Sequence, residues 1–241
     1  QDGTSPADTQ GSGDIIVPLR IITGREALAF AQAHQTPVVQ ELTGNDQRDN
    51  IERFYSCPFD GTREPAEYFA VKRDEVRGYT FLWRHHFHRL DWGGVVDHPI
   101  DKHEGDFEGA CWCYPDDQKS NHYIIARAHT NLMLHTFDHN GIGGLWQGYE
   151  MKGHGCRTMD DMPVEEDFRI YRDLPLIPLY DETGDYTSEA KIMQRQFEAW
   201  GHVDWMDEYE DRELKLRRIE HKGDYWNDPL ALVEKMRRQY P

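Results

Sequence analysis

Four runs of aromatic and β-branched residues restrict this chain more than any other feature. EYFAV (67–71), GYTFLWRHHFH (78–88), DFEGACWCY (106–114) and HYIIARAH (122–129) are separated by Gly, Asp and Pro turn residues. Side chains that favour a pleated surface, broken at short intervals by turn formers, predict successive β-strands. Alternation puts Tyr79, Phe81 and Trp83 on one face of the second run. Upstream, DIIVPLRIIT reads as a short buried strand interrupted by Pro18, and TGREALAFAQAHQ as a helix in which Thr23 and Glu26 have capping-box spacing. HNGIGG at 139–144 reads as a turn.

From DETGDYTSEA onward the pattern turns helical. SEAKIMQRQFEAW offers a Ser188 cap and apolar Ile192, Met193, Phe197 and Trp200. DRELKLRRIEHK and DPLALVEKMRRQY are amphipathic, the latter opening on an Asp228 cap and Pro229. The expected organisation is a disordered polar N-terminus over 1–14 and a single β-rich domain over 15–241, with a helical C-terminal segment from about residue 187. No run approaches the length of a membrane span. The formal net charge of −17 excludes a basic phosphate-binding footprint, so nucleic acid is not an expected partner. QDGTSPADTQGSGD is a polar start without initiator Met. It is expected of a mature end left by signal removal, and hence of a secreted, extracellular monomer.

The stretch DKHEGDFEGACWCYP (101–115) carries the chemistry. On a strand, Asp106 and Glu108 lie side by side with Ala110, Trp112 and Tyr114, while Phe107, Gly109, Cys111 and Cys113 take the opposite face. Two carboxylates roughly 7 Å apart along a strand repel one another unless a cation or base lies between them. His103, brought round by Gly105, reaches the same place. One imidazole and two carboxylates suit a divalent ion: calcium, magnesium or manganese if oxygens complete the shell, zinc or iron if more histidines join. Glu104 or a nearby histidine is the candidate general base for water activated by such an ion.

HEGDFE resembles the HEGDWE signature of the vacuolar-protein-sorting-type family and is similar to the GHRHDWE heptapeptide of the necrosis- and ethylene-inducing-peptide-like proteins. The resemblance covers about residues 65–160, with MKGHGC similar to the glycine–histidine segment that follows the motif in such proteins. It implies a two-sheet β-sandwich, here mainly β with helical N-terminal and C-terminal flanks, and a cation held at the motif. By position it implies His103, Asp106 and Glu108 as ligands, His154 as the distal histidine, and Asp97 or Asp101 as an upstream ligand. Glu104–Gly105 replace Arg–His of the heptapeptide and Phe107 replaces Trp, departures that bear on membrane lysis more than on the metal.

The remaining histidines give weaker patterns. His86 and His88 share a strand face and suit a metal or an anion. His129 and His135 follow the strand leading away from the motif and are candidate catalytic groups. GHVDW has the H-x-D spacing of a facial triad, but only His221 follows it, on a helical tail. No nucleophile elbow, phosphate loop, dinucleotide fingerprint or H-E-x-x-H occurs. The expected function is therefore a metal-assisted hydrolase acting on an extracellular polysaccharide or another polar polymer. The alternative is a non-enzymatic protein that binds membrane glycolipid head groups or sugars through a cation-organised surface. Cys57, Cys111, Cys113 and Cys156 are compatible with two disulfides, in which Cys111 and Cys113 pair with Cys57 and Cys156 rather than with each other. A zinc knuckle or four buried thiols are the rival readings.

Overall fold

The computed structural model describes residues 18–42, 50–54, 64–92, 102–117, 119–128, 131–137, 146–150, 155–159, 168–199 and 224–239; at 90–92, 102–104, 128, 131, 137, 198, 224 and 239 it describes the backbone. Two sheets pack as a mainly β sandwich with helical flanks. The larger sheet runs in the order β1 (Arg20–Ile22), β4 (Glu67–Asp74), β5 (Tyr79–Trp92), β6 (Lys102–Pro115), β7 (His122–Ala128) and β8 (Asn131–Phe137). β12 (Leu176–Pro178) lies parallel beside β4, and β3 (Ile51–Glu52) beside β5. The smaller sheet is β10 (Cys156–Met159), β9 (Trp146–Tyr149), β2 (Val38–Glu41) and β11 (Phe168–Tyr171). The helices are α1 (Gly24–Ala33), α2 (Ser188–Ala199), α3 (Asp224–Asn227) and α4 (Pro229–Gln239).

The long central strands alternate as their sequence requires, and each face of the larger sheet has its own core. On one side Val71, Leu82, Ala110, Trp112 and Ile124 pack against Ala27 and Ala31 of α1 and against Val38, Tyr149 and Cys156 of the smaller sheet. On the other, Phe81, Trp83, Phe87, Phe107, Cys111 and Cys113 meet Met193 and Phe197 of α2 and Trp226, Leu232 and Val233 of α3 and α4. The β4–β5 connection turns at Gly78, which takes φ +68°. Its N–H bonds the Asp74 carbonyl at 3.0 Å, and the Asp74 carboxylate accepts the N–H groups of Val76 and Arg77. A left-handed residue there suits glycine because it has no Cβ.

Several expectations from the sequence change in detail. Thr23 stands at the α1 N-cap, but its side chain makes no cap bond; its hydroxyl donates to the Glu182 carbonyl at 3.4 Å. α2 is capped by Thr187, one residue before Ser188, through Ala190 N–H to Thr187 Oγ1 at 3.2 Å. Met193 and Phe197 are buried as the pattern requires, whereas Ile192 is 43% exposed. Asp228 caps α4, accepting the Ala231 N–H at 3.1 Å. The disulfide expectation is not met among the described residues: Cys111, Cys113 and Cys156 are free, buried thiols. Cys111 and Cys113 face the helices while Cys156 lies between the sheets, so the larger sheet itself separates them. Cys57, Trp200, and residues 1–14, 139–144 and 201–223, which include GHVDW, all of DRELKLRRIEHK and His221, lie outside the described residues. No helix among the described residues is long and apolar enough to cross a membrane.

Gly109 carries the tightest backbone approach in β6. A Cβ there would stand 2.3 Å from the Arg84 carbonyl and 2.6 Å from the His85 ring. Gly109→Ala is expected to destabilise the fold by about 1–3 kcal/mol, as overpacking does in tight cores. The midpoint of urea unfolding reads this, and an unchanged midpoint would contradict the packing described.

Candidate divalent-cation site

β5 and β6 bring the motif opposite the histidine run. In their antiparallel register His86 pairs with Glu108 and His88 with Asp106. All four side chains belong to the face turned toward the smaller sheet, because alternation carries them there together with Leu82 and Trp112. Asp106 and Glu108 are 7% and 5% exposed, and His86 and His88 are fully buried. Gly105 takes φ +74° immediately before Asp106, a conformation that favours the glycine of the motif. The ladder keeps its register across it, with Leu90 opposite Glu104 and His88 opposite Asp106.

Next to this quartet lies an ion pair with no exposure. Arg84 donates Nε to Glu67 at 3.1 Å and Nη2 at 2.8 Å, and it reaches the Thr36 hydroxyl and carbonyl at 2.7 Å each. His86 Nε2 lies 3.0 Å from the same Glu67 carboxylate. The ring's Nδ1 lies 2.6 Å from the Tyr149 hydroxyl, which donates to the Glu108 carbonyl at 3.0 Å. Gln147 ties the layer together, donating to the Tyr149 hydroxyl at 2.8 Å and the Arg84 carbonyl at 2.9 Å and accepting from Trp112 Nε1 at 3.0 Å. His88 Nε2 meets Gln40 Oε1 at 2.7 Å.

These bonds assign the donors. Both ring nitrogens of His86 are engaged, Glu67 is neutralised by Arg84, and His88 is engaged through Nε2. Asp106 and Glu108 carry the other carboxylates of the face, with Arg127 Nε 4.0 Å from Glu108. Spaced by one residue on the same side of a strand, they suit an oxygen-preferring ion better than zinc, which favours nitrogen and sulfur. Among the described residues, no group of three or more His, Cys, Asp and Glu side chains is gathered around one point as a complete metal shell requires. The side chains of His103 and Glu104, and all of Asp97, Asp101, His129 and His154, lie outside the described residues. His135 is described and stands away from the pair. It is in register with Ile124 and Trp112, four residues up the sheet from Glu108, or about 13 Å along it.

Burial sets the protonation of the interior. It would raise Glu67, but Arg84 and then His86 outweigh it and hold the carboxyl down at about 2. Burial pushes His85 well below its ordinary value, with Arg127 adding to the effect, and lowers His86 despite Glu67. The thiol of Cys156 is pushed up by burial and then by Glu108, so it stays protonated rather than acting as a thiolate nucleophile.

The sequence did not single out Arg84, Glu67, Tyr149, Gln147 or Tyr225. The signal for the first two was an arginine in the middle of an aromatic strand, on the face of Leu82 and His86. A charge buried there requires a counter-charge. Comparisons of the chain with protein-family models, with curated proteins and with solved structures find no match.

Two outcomes are expected. Glu67→Gln leaves the Arg84 guanidinium buried without its counter-charge and should cost about 3–5 kcal/mol by chemical unfolding; a loss below about 1 kcal/mol would contradict the ion pair's role. Second, His85 and His86 titrate lower in the folded chain than the ordinary 6.5, so below pH 6.5 the unfolded chain binds more protons. Stability should fall as pH drops through 6.5, by about 1.4 kcal/mol per pH unit for each histidine. Glu67 adds a further loss from its ordinary 4.5 down toward about 2. A melting temperature that stays flat from pH 7 to pH 5 would contradict the histidine contribution.

Proposed function

We propose that this chain is a secreted divalent-cation-binding protein in which Asp106 and Glu108 hold a calcium, magnesium or manganese ion between the sheets. The observation that carries the reading is the placement of the two motif carboxylates, side by side and almost buried, beside histidines already committed to other bonds. Neighbouring carboxylates on one strand face repel, and a cation held by both would add to the positive charge that the Arg127 guanidinium, with Nε 4.0 Å away, brings to Glu108. Water and carbonyl oxygens would complete the shell of such an ion; if His103 and His154, the further ligands that the resemblance implies, join it, zinc or iron would be favoured instead.

Because both carboxylates are so little exposed, the reading favoured is a cation that organises the fold from between the sheets, with a polar ligand such as a sugar or a glycolipid head group recognised on the surface it shapes. Metal-assisted hydrolysis of an extracellular polysaccharide is the second reading. Its candidate general base is Glu104, two residues before Asp106 in the motif.

Asp106→Asn tests the ion. The variant should lose calcium and manganese binding by calorimetry while keeping the circular dichroism of the parent. In the parent, cation at about 100 times Kd should add about 2.7 kcal/mol of stability, and Asp106→Asn should abolish that gain. Equal affinity in parent and variant would remove Asp106 from the site. Turnover of a polysaccharide that stops on chelation would decide for the hydrolase; retained sugar binding without turnover would decide for the binding protein.

A further inference from the structure

Behind the motif, on the opposite face of the larger sheet, the C-terminal segment supplies a support that the sequence does not suggest. Tyr225 of α3 places its hydroxyl 2.8 Å from His85 Nε2. The His85 ring stacks on Phe107 at 4.9 Å between centroids, tilted by 29°. Phe107 is the residue between the two carboxylates. The same imidazole lies against the bare backbone of Gly109, where a Cβ would come within 2.6 Å of the ring. A second path starts from the same tyrosine. The Arg127 guanidinium stands 5.4 Å over the Tyr225 ring, and its Nε is 4.0 Å from the Glu108 carboxylate.

Tyr225 is itself held in place. Its carbonyl accepts from Trp83 Nε1 at 2.9 Å. The next carbonyl, that of Trp226, accepts from the buried Lys72 ammonium at 2.8 Å. Trp226 stacks on Trp83 at 5.4 Å, and Arg77 reaches Asp228 at 2.6 Å.

We infer that Tyr225 is a positioning residue for Asp106 and Glu108, fixing their segment of β6 through His85 and Phe107 and steering Glu108 through Arg127. The role served by this positioning rests on the cation reading above; the mechanical support does not. Groups behind the ligands set the geometry in which ligands are presented, and removing such a group lowers metal affinity by about 10–100-fold. Because coupling is reciprocal, a bound cation also strengthens the docking of residues 224–239.

The test uses the full chain and Tyr225→Phe, which keeps the ring under Arg127 and removes the hydroxyl. Manganese affinity is measured by calorimetry, and amide hydrogen exchange is measured at residues 105–109. Arg77→Gln serves as the comparison, because it loosens the same segment without touching Tyr225. The expected result is about ten-fold weaker manganese binding and faster exchange at 105–109 in Tyr225→Phe, with Arg77→Gln binding manganese like the parent. Equal loss in both variants would mean general loosening and would overturn the inference. If parent and Tyr225→Phe bind manganese equally, the positioning role is wrong and the cation reading stands. If the parent binds no manganese, the cation reading falls, and exchange alone decides: faster exchange at 105–109 keeps the support role, and unchanged exchange removes it.

Discussion

A guanidinium sealed from water lies between the two sheets, and much of the polar interior is arranged around it. Arg84 is fully buried, which is tolerable only because Glu67, Thr36 and the planar geometry of the pair satisfy its donors. That requirement fixes Glu67, Glu67 holds His86 at Nε2, and the other ring nitrogen meets the Tyr149 hydroxyl of the smaller sheet. Gln147 bridges the same hydroxyl to the Arg84 carbonyl and to Trp112. The smaller sheet is thus registered on the larger one by hydrogen bonds as well as by apolar contact. A buried pair of this kind adds less to stability than its geometry suggests, since desolvation opposes the attraction. Loss of one partner is what costs heavily.

The same arrangement shapes the candidate site. It engages both ring nitrogens of His86 and neutralises Glu67, which leaves Asp106 and Glu108 as the carboxylates on which the proposed cation site rests. Contacts on the other side of the sheet run through Phe107 and His85, which alternation sends away from the carboxylates, to Tyr225 of α3. The proposed site would therefore span the thickness of the sheet, with the two carboxylates on one face and Phe107, His85 and the C-terminal helices on the other.

Much of the fold was legible because strand periodicity fixes faces. The division of β6 into Asp106, Glu108, Trp112 and Tyr114 against Phe107, Cys111 and Cys113 is visible in the sequence and present in the structure. So are the shared face of His86 and His88 and the Asp228 cap of α4. What was not legible is partnership. Nothing local tells Arg84 that its counter-charge is Glu67, or tells His85 that its partner is Tyr225, 140 residues away. The disulfide expectation failed for the same reason: spacing along the chain does not reveal that Cys156 and the Cys111–Cys113 pair lie on opposite sides of one sheet. The Thr23 cap failed because a tertiary acceptor, the Glu182 carbonyl, took the hydroxyl that a local motif would have used.

The most direct measurement is to count metal per chain. The purified protein is equilibrated with calcium, magnesium and manganese, freed of unbound ions, and analysed by elemental mass spectrometry before and after chelation. One equivalent of a single divalent ion per chain, removed by the chelator, is the result predicted. No stoichiometric ion in any of the three equilibrations would contradict the cation site and return HEGDFE to a purely structural stretch of β6.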